Sequence, residues 1–354
     1  MRFPRLAVVL FLLALLSACS DYKPMAIGPE GRIVVFADSS VYQEAKPYLQ
    51  RTVFREVLAV PRPESMLEEE WQDARQFEPL KQRAYLLFLA SADDTSFASR
   101  LALSLLSDDV KNLVAKGEQT TFTVRNKWRN GQQVMFVIAP SKDAMGQTIM
   151  KDSAAITFGW TDFTLKRAYH HMFRRHSQPD LEERLLERVG FTPRIQHDYV
   201  VIHDSVGPNF VYLKRIQPDL DRWFWIHWWD APTPAFPTFS RLMDIQDSVL
   251  KVQITAEDST YAETDRRALS QKEISFNGFY GVETRGLWRM NDYSLGGPFV
   301  NYTFYNDSLN RIYMFNGSVL APKFQSKADF VREMEVIARS IRFREGKGAT
   351  PELR

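Results

Sequence analysis

The sequence predicts an α+β chain of antiparallel sheets backed by helices, arranged as two related halves. Three observations predict it. Apolar runs of strand length recur, as at residues 33–37 (IVVFA) and 85–90 (YLLFLA). Amphipathic helical stretches separate them, clearest at residues 161–175 and 326–341. The third is an echo: Val137-Ile138-Ala139-Pro140 and Val319-Leu320-Ala321-Pro322 each end a strand–turn–strand unit and open a helix. The echo reads as an internal duplication or as the general usefulness of Pro after a strand.

In chain order, residues 33–37 form a buried strand between Gly31 and Asp38-Ser39-Ser40, followed by a helix over 42–57 that Pro61 and Pro63 break. Residues 64–77 are acidic with helical character, a solvated face rather than a cation site. Residues 120–124 and 134–139 flank Asn130-Gly131, a hairpin turn signal. In the helix over 161–175, Leu165, Ala168, Tyr169, Met172 and Phe173 make an apolar face. A second helix carries Leu181, Leu185 and Val189 to a stop at Gly190. Strands follow at 198–204, 209–216 and 223–229, then a helix within 236–252, then strands at 281–290, 298–305 and 311–321. Ser326 caps the last helix with Asp329 at the capping-box position, and Glu335 and Arg339 form an i,i+4 pair. The domain reading is 1–18 signal peptide, 19–31 flexible tether, 32–176 N-terminal half, 177–343 C-terminal half and 344–354 disordered tail.

The composition narrows the function classes. The 354 residues carry 45 Lys+Arg, 43 Asp+Glu and a single Cys. One Cys excludes intrachain disulfides and Cys-cluster metal sites, and the near-zero charge excludes a strong nucleic-acid footprint. Arg2 and Arg5 precede an eleven-residue apolar run at 6–16. As a helix it rises about 16 Å, too short for a hydrocarbon core of roughly 30 Å, so it reads as a signal peptide. Leu16-Ser17-Ala18-Cys19 resembles the bacterial lipobox. That resemblance implies lipidation of Cys19, cleavage before it and a bilayer anchored through the acylated residue. An ordinary cleaved signal peptide is the alternative. Removing Arg2 and Arg5 leaves 43 basic and 43 acidic side chains in the mature chain.

The residues Glu283-Thr284-Arg285-Gly286-Leu287-Trp288, Gly296-Gly297-Pro298-Phe299, Asn310-Arg311-Ile312 and Ala321-Pro322-Lys323 carry a family resemblance. Over roughly residues 28–343 the chain resembles the Bacteroidetes lipoprotein family known as domain of unknown function 4837, most strongly in its last seventy or so residues. Two places depart from the pattern: the acidic segment after Lys251, and Asn316-Gly317-Ser318 where an acidic residue and a Gly are usual. The resemblance implies an envelope lipoprotein and supplies no reaction or catalytic residue.

Residues 223–229 (WFWIHWW) hold four of the eight Trp. As a strand they put Trp223, Trp225, His227 and Trp229 on one face and Phe224, Ile226 and Trp228 on the other. Such a strand is either buried on both faces or exposes an aromatic platform for a glycan, with His227 and Asp230 as polar fixers. Glu283, Arg285 and Trp288 form a second cluster: an ion pair fixing strand register, or an Arg that recognises a carboxylate. Gly286 and Gly296-Gly297 permit close backbone approach or mark a bulge and a turn. His170, His171 and His176 lack metal-ligand spacing. Their helix shows Lys166, Arg167, Arg174 and Arg175 opposite its apolar face, a solvated face or a contact for anionic headgroups. Ser248-Val249-Leu250-Lys251 fits Ser-x-x-Lys, but the accompanying Lys-Thr-Gly is absent. No metal or cofactor motif is legible. The expectation is a binding module in the cell envelope, anchored at the outer membrane, with an envelope protein as first partner and a glycan as second. The alternative is a hydrolase of an envelope polymer using Glu283, His227 or Asp230.

Overall fold

The computed structural model describes residues 23–354 apart from 59, 206, 208, 233–234, 255–258, 347, 349–352 and 354. The signal peptide and Cys19 lie outside the described residues. The chain forms two compact units, residues 1–46 with 69–152 and residues 47–68 with 153–354.

The first unit is built on a five-stranded sheet. Its strands are β1 (Arg32–Phe36), β2 (Glu68–Gln72), β3 (Tyr85–Ser91), β4 (Thr121–Arg125) and β5 (Gln133–Ala139), in the order β2-β1-β3-β5-β4. β1, β3 and β5 run parallel and only β4 joins β5 as a hairpin. The antiparallel expectation fails here for a visible reason: every residue of β3 and β5 is buried, the pattern of strands covered on both faces. Helices α1 (Ser39–Arg51), α2 (Phe97–Ser104) and α3 (Asp108–Ala115) lie between the strands in sequence, and Ala98, Ala102 and Val114 pack with Phe36, Phe88 and Phe136. The β4–β5 turn is wider than a two-residue turn. Asn126 and Gly131 both adopt positive φ, and Asn126 Oδ1 accepts from the Gly131 N–H. Residues 64–77, read as helical, supply β2 instead.

Residues 23–31, read as tether, are bound to this unit. The Ala26 N–H donates to Asn130 O at 2.8 Å, Ile27 N–H to Gln82 O at 3.0 Å, and Ala84 N–H to Ile27 O at 2.9 Å. Met25 and Ile27 form parallel bridges to Asn130 and Arg83. A free backbone gains partners at a sheet rim, which local composition did not reveal.

The second unit carries a seven-stranded, fully antiparallel sheet: β6 (Val200–Ser205), β7 (Phe210–Gln217), β8 (Leu220–Asp230), β9 (Ala262–Phe276), β10 (Phe279–Met290), β11 (Gly296–Asn306) and β12 (Arg311–Leu320). The order is β9-β10-β11-β12-β8-β7-β6. Helices α4 (Met145–Lys151) and α5 (Ser153–Phe173) stand at the junction of the two units in sequence. α5, α6 (Pro179–Val189) and α8 (Ala328–Arg339) cover one sheet face, where Leu165, Leu185 and Met334 meet Phe224, Tyr302 and Phe315. α7 (Phe239–Gln253) covers the other, packing Leu242 and Leu250 on Trp225, Phe299 and Met314. α5 thus packs with the second unit although the sequence reading places it in the N-terminal half. The parallel centre of one sheet and the antiparallel order of the other also set the halves apart, so the Pro140 and Pro322 echo marks two similar hairpin ends rather than a repeated topology.

Two local expectations are corrected. The N-terminus of α8 is capped by Glu64 from a remote segment, whose Oε2 accepts from the Lys327 and Ala328 N–H groups and the Ser326 hydroxyl. A carboxylate there meets the positive end of the helix dipole. Asp329 pairs with Arg332 rather than forming a capping box. Nor is the tail wholly free: the Arg344 N–H donates to Gly190 O, Phe343 N–H donates to Gly348 O, and Leu353 is buried in the core.

Candidate functional site

The aromatic strand β8 lies inside the sheet, between β12 and β7. Alternation holds as expected, but both faces are covered. Trp223 and Trp225 pack beneath α7, while Phe224, Ile226 and Trp228 enter the opposite core. Trp223 meets Trp288 edge to face at 4.9 Å, and the Trp288 indole N–H donates to Val319 O. No aromatic platform is open at Trp223, Trp225 or Trp288. His227 is half-buried, donating from Nδ1 to Asn209 O at 2.9 Å, and burial lowers its pKa. It stacks on the half-buried Trp229 beside a shallow depression that also touches Arg241 and Val249. Asp230 is exposed and pairs with Arg311 at 2.7 Å.

The α7 face is held by a buried amide network. Gln246 Oε1 accepts from the Asn301 and Asn316 amides, and Gln246 Nε2 donates to Thr264. Asn316 therefore has a structural partner. Its neighbour Gly317 lies against α8: a Cβ there would stand 2.5 Å from the Met334 Cβ. At Gly297 a Cβ would stand 2.1 Å from Val319 O, so close backbone approach is the reading that holds.

Glu283 and Arg285 part company with Trp288. Alternation along β10 sends them to the α8 face, where they line a cleft of about 950 Å³ within the second unit. Arg285 Nε donates to Glu283 Oε1 at 2.9 Å, and Arg285 Nη2 bonds Glu335 of α8. Lys272 reaches the same Glu283 oxygen at 3.2 Å. One guanidinium therefore bridges two buried carboxylates, tying the sheet to the helix. Glu335 has this role rather than the expected pair with Arg339. Burial alone would raise the Glu283 carboxyl; Arg285 and Lys272 more than offset it and hold it at about 2, below its usual 4.5. Tyr302, buried beside these carboxylates, has its phenol pushed well up.

The cleft wall comes from segments that the sequence reading did not connect. α5 contributes Ser153, Thr157 and Thr161, spaced by four residues along one stripe of the helix. Lys166 pairs with Asp162 at 3.0 Å at the same wall and Arg167 is buried, so these two leave the expected basic face of the helix, whose His170, His171, Arg174 and Arg175 are exposed. Arg51, Arg55 and Arg339 complete the charged lining. Arg339 lies over the Phe276 and Tyr302 rings at 5.5 and 5.4 Å, and no carboxylate pairs with these three guanidiniums among the described residues. Also among those residues, no group of three His, Cys, Asp or Glu is placed to hold a metal ion, and no helix is long and apolar enough to cross a membrane.

Comparison with known proteins divides the chain as the sheets do. Residues 26–173 match the model of one family, Domain of unknown function (DUF8532), so the resemblance expected over 28–343 is confined to the second part of the chain. No curated protein matches the chain. A crystal structure of a protein from Bacteroides thetaiotaomicron is similar at 12% identity with a TM-score of 0.25, over 44% of this chain and 46% of that one, less than half its length. The structure of LpqN, involved in cell envelope biogenesis of Mycobacterium tuberculosis, is similar at 9% identity and TM-score 0.26, over 43% of this chain and 81% of that one. Likeness at this level carries no weight for function. Residues 178–340, which supply the whole antiparallel sheet and α8, match the model of the family Domain of unknown function (DUF4837).

Proposed function

We propose that the chain is a cell-envelope lipoprotein, fixed to the outer membrane through acylated Cys19, whose second unit is a binding module. The cleft at Glu283 and Arg285 carries the binding reading. It is concave, of a size that suits a small ligand or a partner's side chains, and its buried ionisable groups are committed to ion pairs. Hydrolysis is less well served. Glu283 is held ionised and is a poor proton donor, His227 lies on the other face of the sheet, and Asp230 is exposed and paired.

The hydrogen bonds of residues 23–27 support a short anchor. They leave four residue steps between Cys19 and Lys23, at most about 14 Å of chain. The first unit of a lipidated protein would therefore sit against the bilayer rather than on a stalk. Two or more acyl chains on Cys19 would make the attachment stable.

Metabolic labelling and in-cell photo-crosslinking test the two parts. Labelled palmitate enters the native protein and not Cys19→Ala; label in the variant refutes the anchor. A photoreactive residue at Phe158, an exposed side chain on the cleft lip, captures one envelope partner or glycan far more strongly than one at exposed Ser294. Equal capture refutes the cleft as the binding site.

A further inference from the structure

The charges of the cleft do not cancel. Lys166 is matched by Asp162, and Lys272 and Arg285 by Glu283 and Glu335. Arg51, Arg55 and Arg339 remain, three cations without a carboxylate among the described residues. They come from the C-terminal end of α1, the segment after it and the last turn of α8, so no single helix face explains their meeting. Hydroxyls of Ser153, Thr157, Thr161 and Ser270 line the same space. A concave cleft with three surplus guanidiniums focuses positive potential, and each guanidinium offers a planar fork of donors.

We propose that this cleft binds a ligand bearing an oxyanion, a phosphate ester or a carboxylate, with Arg51, Arg55 and Arg339 as its charge partners and the α5 hydroxyls as hydrogen-bond partners. This rests on the cleft being the binding site and adds the chemical class of what enters it. The committed Glu283–Arg285–Glu335 bridge serves as a rigid floor, so the site needs no carboxylate to move when the anion arrives. Exposed Phe158 at the lip gives the non-ionic part of such a ligand an apolar surface.

The test is calorimetric titration at low salt of the chain from residue 19 onwards carrying Cys19→Ala, so that no acyl group inserts into the vesicles. The probes are inorganic pyrophosphate, citrate, glucose 6-phosphate and neutral glucose, with vesicles of phosphatidylglycerol or phosphatidylcholine as separate arms. The variant is Arg51→Ala/Arg55→Ala, two exposed positions whose loss should leave the melting temperature unchanged. At least one soluble anion or the phosphatidylglycerol vesicle binds, glucose and phosphatidylcholine do not, and the variant weakens binding at least tenfold. Soluble anions alone indicate a free ligand; phosphatidylglycerol alone indicates a headgroup; either supports the proposal. Glucose binding that the variant leaves intact, but that Thr157→Trp blocks, overturns the anionic class and keeps the cleft. Anion binding unchanged in both variants overturns the cleft as well. Silence from every probe overturns the proposal.

Discussion

Replacing Arg285 by Met is the most informative single perturbation of the second unit. The guanidinium is 12% exposed, and its partners Glu283 and Glu335 are 5% and 4% exposed. Removing it strands two carboxylates in the sheet–helix interface; only Lys272, itself largely exposed, remains near Glu283. Breaking a buried pair from one side costs about 3–5 kcal/mol. For a unit of this size each kcal/mol moves Tm by about 2–4 °C, giving a loss of roughly 6–20 °C at pH 7. The pH dependence should also reverse. In the native protein the depressed Glu283 pKa contributes stability that is fully present above about 4.5 and is lost as pH falls towards about 2. In Arg285→Met, burial without that guanidinium raises the Glu283 carboxyl above its unfolded value, so stability rises as pH falls from 7 towards 4.5. Thermal unfolding followed by circular dichroism at pH 7 and pH 4.5 reads both effects. A variant within 1 kcal/mol of native at pH 7, with an unchanged pH profile, would refute the bridge as a stabilising element.

Other predictions follow from particular contacts. Gly317→Ala should cost about 1–3 kcal/mol by pushing α8 off the sheet, measurable as a lower urea midpoint; an unchanged midpoint shows slack at Met334. Gln246→Leu should lose about 1–3 kcal/mol for each of the Asn301 and Asn316 amides it leaves unpaired, and adding Asn301→Leu should recover part of that. Trp223→Ala should destabilise by about 3–5 kcal/mol, because the ring is buried against Trp288; a fully stable variant would restore the platform reading. The amides of Ala26 and Ile27 should exchange slowly with solvent deuterium, and exchange as fast as a free peptide would return residues 23–27 to the tether.

Local pattern made much of the second unit legible. Alternation in β8 separated Trp223 and Trp225 from Phe224 and Ile226, and the structure keeps that division. What alternation left open was whether either face is covered, because that depends on α7 and α8 arriving from elsewhere in the chain. Strand β9 escaped notice: an edge strand needs no continuous apolar face, and Arg266, Arg267, Gln271 and Lys272 make its sequence read as loop. The parallel centre of the first sheet was hidden because a fully buried run such as YLLFLAS carries no direction. Glu283 and Arg285 were identified as a pair from their shared face. Glu335 was assigned to Arg339 by i,i+4 spacing, and tertiary packing gave it to Arg285. Arg51, Arg55 and Arg339 had no local signal at all: each is an ordinary helix-end or loop cation until residues 47–68 fold onto the second unit.

The most direct test of the anion cleft is a crystal of the mature protein soaked in tungstate, an electron-dense oxyanion. Anomalous density within hydrogen-bonding distance of the Arg51, Arg55 or Arg339 guanidinium, lost in Arg51→Ala/Arg55→Ala crystals, is the predicted result. An empty cleft in crystals that bind tungstate elsewhere on the protein would contradict it.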